Sequence, residues 1–164
     1  MAKPSSRPLR LYTRPSDHDP LEWGWVNDQL RAAGTYWVVP AALPGQPRWP
    51  PHPRPVWGIW NDRRLVLSIG SPVIRRLVEK DAPVTIHLDS GTDVVIVEGV
   101  VAGPTDHADM ITAYDAKYDW SYDVAEYGPL TVVVPTAVLA WRTAGWAGRD
   151  SFQQTGRWTF PPLA

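Results

Sequence analysis

The sequence predicts a mainly β protein, a β-barrel of antiparallel strands with a few flanking helices. Three observations predict it. Residues 94–101 form an almost unbroken β-branched run, the pattern of a strand buried on both faces. Residues 83–89 alternate, with Val84, Ile86 and Leu88 on one side and Thr85, His87 and Asp89 on the other. Short β-type runs also come in pairs separated by turn residues, Asn61-Asp62 and Ser90-Gly91, which marks hairpins rather than crossovers. Antiparallel pairs with few helices argue for a small β-barrel with helical additions.

The elements follow in chain order. Residues 1–18 carry no apolar periodicity and read as a flexible leader, with one domain over 19–164. A helix is expected over 19–33, capped by Asp19, with Pro20 in its first turn, Leu21, Trp25 and Leu30 on its apolar stripe, and Gly34 ending it. Residues 35–39 are a β run. Residues 40–53 are loop, with Pro44-Gly45 as its turn signal. Residues 54–60 and 64–69 form the first hairpin. Trp57 and Trp60 differ in strand parity, so they point to opposite faces.

Ser71 is placed to cap a short helix over 71–81. Pro72 stands at its first position, and Val73, Ile74, Leu77 and Val78 share one face. Residues 106–118 have helical spacing, with Met110, Ile111, Tyr114 and Tyr118 on a broad apolar face. Further strands are expected at 130–134, 138–142 and 156–160.

Composition narrows the function classes. A formal net charge of −1 gives no basic face for a nucleic-acid backbone. No apolar run reaches the roughly 20 residues a bilayer helix needs, and the first residues carry no apolar signal core. A cytoplasmic chain is expected. The absence of cysteine fits this and removes disulfides, thiolate catalysis and cysteine-held metals. The clusters Asp17-His18-Asp19 and Asp106-His107-Ala108-Asp109 read as helix caps, because no second His falls at ligand spacing. No metal is expected. Ten tryptophans exceed what one small core needs, so some are expected at an interface or a ligand site.

Within this frame, four pieces stand in order. They are His52-Pro53-Arg54-Pro55-Val56-Trp57-Gly58-Ile59-Trp60; Leu67-Ser68-Ile69-Gly70 followed by Arg75-Arg76-Leu77; Asp93-Val94-Val95-Ile96-Val97-Glu98-Gly99; and Ala140-Trp141 followed by Thr155-Gly156-Arg157-Trp158-Thr159-Phe160. Together with Ala113-Tyr114-Asp115-Ala116-Lys117-Tyr118, their order resembles the pyridoxamine 5'-phosphate oxidase-like, FMN-binding split-barrel superfamily. The resemblance implies a homodimer of split barrels with a cofactor in each cleft between subunits. It implies a flavin-dependent oxidoreductase acting on a small organic substrate. By position it assigns Ser68, Ile69, Ser71, Arg75 and Arg76 to the phosphate. Arg54, Val56 and Trp57 fall beside the ring, and Trp141, Arg157 and Trp158 of the partner close the site. FMN is the first expected cofactor.

The Arg-Lys pair that family members carry after the Ser is absent here; Pro72 and Val73 occupy that place. A deazaflavin coenzyme, a ligand-binding protein, or a structural dimer without cofactor therefore stand as alternatives. Lys117, Tyr114 and His87 are the candidate acids or bases, each conditional on facing the cleft. Substrate choice is expected to lie in the loops 43–51 and 145–154.

Overall fold

Six strands close on themselves. They are β3 (Tyr36–Pro40), β4 (Arg54–Asn61), β5 (Arg64–Ser68), β6 (Pro83–His87), β7 (Asp93–Thr105) and β8 (Leu130–Thr143), described in a computed structural model. The structure describes residues 4–7, 9, 19–41, 52–143 and 152–161. Around the barrel the order is β8, β5, β4, β3, β6, β7 and back to β8. All six pairings are antiparallel. Closure leaves no unpaired edge in the ring.

The long strand β8 changes neighbours partway. Its first half pairs β5 through Thr131, Val132 and Val133, and its second half, from Ala137, pairs β9 (Phe152–Thr159). Pro135 lies at the changeover, where a proline removes no ladder bond that either neighbour needs. The register against β7 shifts at the same level, between Glu98 and Gly99. The two strands expected at 130–134 and 138–142 are therefore one bent strand. β9 begins earlier than the expected 156–160, because β8 offers it a template from Thr143. Outside β9 lie two short strands. β1 (Ser5–Arg7), within the expected leader, pairs antiparallel with Arg157–Thr159, and β2 (Asp19–Pro20) pairs parallel with Gln154 and Thr155.

That last pairing corrects the first helix. Asp19 and Pro20 belong to the sheet, and α1 (Trp23–Ala32) starts after Glu22. Leu21 is buried ahead of it, and Val26 and Leu30 face the barrel. Helix α2 (Pro72–Leu77) is shorter than expected. Ser71 Oγ accepts the Ile74 N–H, Ile74 and Val78 are buried, and Val73 is exposed. Helix α3 (Ala108–Tyr118) carries its expected apolar face, and α4 (Val124–Tyr127) follows it with Asp123 as cap. The Pro44-Gly45 turn, the Asp17-His18 pair and Gly145 lie outside the described residues.

Two apolar clusters result. The larger fills the barrel with Tyr36, Val38, Leu65, Leu67, Ile86, Val95, Val97 and their neighbours, closed on one side by α1 and Trp158. The smaller lies under α3 and α4 and holds Ile59, Val66, Tyr114, Tyr122 and Leu130. Strand parity explains both. Leu65 and Leu67 point into the barrel, and Val66 points out to α3.

Candidate functional site

A cavity of about 460 Å³ opens where the β4–β5 hairpin meets α2 and α3. Its walls include Arg54, Val56 and Trp57 from β4, Ser68, Ile69 and Ser71 from β5 and the turn into α2, and Tyr114 from α3. The hairpin register explains the first six. Trp57 pairs with Ser68, so the start of β4 and the end of β5 lie side by side. The volume is within the range of small-molecule sites.

The polar groups are few. Arg54 brings a positive charge, and Thr35, Ser68, Ser71 and Tyr114 bring hydroxyls. Ser68 and Tyr114 share this wall. Burial first, and the Tyr118, Tyr122 and Asp115 charges after it, push the Tyr114 phenol up to about 12, although the Ser68 hydroxyl opposes this. Tyr114 therefore stays protonated at ordinary pH and can donate. The apolar lining comes from Val56, Ile69, Ile74 and the Trp57 ring, which is 46% exposed. Trp57 stacks on Tyr118 at 4.8 Å between centroids and 5° between planes.

Behind Trp57, α3 grips the barrel wall. At Gly58 the neighbouring strand β3 has ended, and its last pair on this side is Tyr36 with Val56. Side chains of α3 take over its bonding. The Gly58 N–H donates to the Tyr118 hydroxyl at 2.9 Å, and Lys117 Nζ donates to the Gly58 carbonyl at 2.9 Å. Lys117 also donates to the Tyr36 hydroxyl at 3.1 Å, which itself donates to the Leu30 carbonyl at 2.6 Å. The ammonium lies over the Tyr36 and Tyr118 rings at 4.9 and 5.3 Å. Burial lowers Lys117 to about 8. Gly58 itself is required, because a Cβ there would meet Leu67 Cδ2 at 2.6 Å and the Val66 carbonyl at 2.7 Å.

The structure thus brings together six of the residues read from the sequence: Arg54, Val56, Trp57, Ser68, Ile69 and Ser71. The others stand elsewhere. Arg75 is exposed on α2; its Nε donates to the Ile69 carbonyl and its Nη2 to the Tyr127 carbonyl, tying α2 to the end of α4. Arg76 is exposed on the same helix. Trp158 is 2% exposed and packs on Trp23 at 5.5 Å, so its ring fills its own barrel rather than a site edge. The neighbouring Gly156 leaves room for that ring. Arg157 Nη2 pairs with Glu98 Oε2 at 3.1 Å, and Trp141 is partly exposed on β8.

Of the candidate acids and bases, Tyr114 lines the cavity. Lys117 lies behind β4, and His87 stacks on Trp37 away from it. Thr35, Pro55, Gly70 and Ile74 also line the cavity and were not singled out by sequence; the hairpin register would have indicated Pro55 and Gly70. Among the described residues no three His, Asp or Glu side chains converge, and no helix is long and apolar enough to cross a membrane.

No protein-family model and no curated protein matches this chain. Solved structures share its fold. The FAD binding protein from Mycobacterium smegmatis is 17% identical, with a TM-score of 0.50 over 85% of this chain and 98% of that one. A further solved chain is 12% identical, with a TM-score of 0.56 over 83% and 90%. A FAD-binding protein from Mesorhizobium loti is 14% identical, with a TM-score of 0.49 over 86% and 96%. At these identities the likeness to the first two establishes the barrel and nothing finer.

Proposed function

We propose that the cavity binds a flavin, and that the chain, as a homodimer of split barrels, passes hydride or electrons between it and a small organic molecule. The observation that carries this reading is the division of one cavity wall. Arg54, Ser68 and Ser71 offer a cation and hydroxyls, while Val56, Trp57 and Ile69 offer apolar and aromatic surface. A flavin has the matching division, with an anionic phosphate tail and a planar apolar ring. The residues present fit that group. A neighbour in fold is named a FAD binding protein, which favours the flavin class over other phosphorylated ligands.

When bound, the flavin supplies the redox chemistry. The chain's residues position and shield. Ser68 and Ser71 donate to anionic oxygen, and Arg54 brings positive charge to phosphate or to the electron-rich edge of the ring. Tyr114 remains a donor throughout. Trp57, Val56 and Ile69 keep water from the ring. Arg75 acts one step back by fixing the carbonyl of Ile69. Trp141 and Arg157, partly exposed, are the groups this reading gives to the partner's cavity.

FMN is the first choice, with a deazaflavin coenzyme second. The test is an absorbance titration of the purified chain with FMN, FAD and a deazaflavin coenzyme in turn. Saturable binding of FMN is expected, and Arg54→Ala should weaken it by roughly ten- to a hundredfold, the worth of one charge-assisted contact. Binding of the deazaflavin alone would change the electron donor. Binding of none of the three would overturn the reading.

A further inference from the structure

Trp57 and Trp120 are each 46% exposed, an unusual degree for two neighbouring indoles. Their rings stand 6.1 Å apart at 83°, so they form two perpendicular walls. Tyr127 adds a third aromatic group 6.4 Å from Trp120, and Tyr118 backs Trp57. We propose that this corner binds an organic cation, a quaternary or protonated alkylamine, beside the cavity whose wall Trp57 shares.

The sign of the charge follows from the surroundings. Aromatic faces are negative and attract cations, and perpendicular rings surround a compact ammonium better than a flat ligand. Residues 115–127 carry Asp115, Asp119, Asp123 and Glu126 against Lys117 alone. Two of these carboxylates belong to the short helix that carries the corner's third wall: Asp123 caps α4, and Glu126 precedes Tyr127 in it. Glu126 first, and Asp123 after it, hold the Tyr127 phenol above its usual range. Lys117 is turned away, toward Tyr36 and Gly58. Asp115 is turned to the Tyr122 N–H. The Arg75 guanidinium keeps its positive charge at that wall, where it donates to the Ile69 and Tyr127 backbone carbonyls, and Asp123 and Glu126 outnumber it. A protein partner fits less well, because the cores of protein interfaces are depleted in such carboxylates.

The proposal needs no flavin, so it stands or falls apart from the cofactor reading. The test uses the full chain without cofactor and follows its tryptophan indole N–H signals by NMR. Signals of Trp57 and Trp120 are identified by their loss in Trp57→Phe and Trp120→Phe. Choline should shift both saturably. Its uncharged isostere, 3,3-dimethylbutan-1-ol, should not do so at equal concentration. Trp120→Ala should weaken choline binding about tenfold. Glu126→Gln should weaken it less, and added salt should weaken it further. Equal shifts with the isostere would overturn the proposal in favour of a merely apolar site. Unmoved indoles would overturn it outright. Signals that move with protein concentration alone would assign the corner to a second copy of the chain instead.

Discussion

The barrel interior and the α3–α4 flank are both well packed, but of different materials. Inside the barrel the buried groups are mainly aliphatic, and Leu65, Leu67, Val38, Ile86 and Val95 are fully buried. The flank is built from Tyr114, Tyr118, Tyr122 and Tyr127; the Tyr114 ring packs on Tyr118 at 5.0 Å and on Tyr122 at 5.2 Å, and Tyr122 packs on Tyr127 at 5.5 Å. Tyrosine gives apolar area and a polar tip together, so a wall of tyrosines can be buried and still present donors. The cavity lies where the flank meets the hairpin. The interior holds the shape, and the flank closes the cavity with Tyr114. The boundary is strand β4, whose Trp60 faces in and whose Ile59 faces out.

Variants on the two sides test this division. The largest effect is expected inside. Leu67→Ala removes a fully buried side chain from a closed ring that cannot collapse, and should lower stability by about 2–5 kcal/mol. Denaturant unfolding measures it; a loss below that range would mean that the interior relaxes as a flank does. Gly58→Ala tests the boundary itself. Its new methyl would press on the Val66 carbonyl and displace the strand that Lys117 and Tyr118 hold, for about 1–3 kcal/mol. Near-wild-type stability in this variant would show that α3 does not pin β4.

The smallest effect is a slope rather than a shift in midpoint, because Lys117 is partly exposed and solvent screens its charge. Its value in the fold, about 8, lies below the ordinary 10.5, so between these values the unfolded chain binds more protons. Stability should therefore rise with pH from about 8 as this ammonium loses its proton. Above pH 10 the raised tyrosines oppose the rise, since they hold protons that the unfolded chain has lost. Unfolding measured from pH 7.5 to about 9.5 should show the rise in the parent chain and none in Lys117→Met. Equal slopes would remove Lys117 as its source.

Much of the site was legible because it is local. Trp57 and Ser68 are brought together by one tight hairpin, and a turn at Asn61-Asp62 with flanking β runs is enough to pair them. The parity of Trp57 and Trp60 likewise follows from strand geometry. The first helix was misplaced at its start because Asp-Pro before an apolar stripe reads as a cap, while the actual competitor was a sheet pairing with Gln154 and Thr155. Trp158 was read as an edge residue, although its surroundings come from Trp23, far away in sequence.

What the sequence determined by itself was the β content, the hairpins, the parity of their side chains and the residues gathered at the mouth of the first hairpin. Turn residues and period-2 alternation act over a few residues and need nothing else. Only the tertiary structure decided that the strands close into a six-membered ring, that β8 serves two neighbours, and that Tyr114 reaches the cavity. It also decided that Lys117 turns behind the wall and that Trp57 and Trp120 meet at a corner. Each of these depends on which face of a distant element is left to be covered, and periodicity within one segment carries no record of its partner.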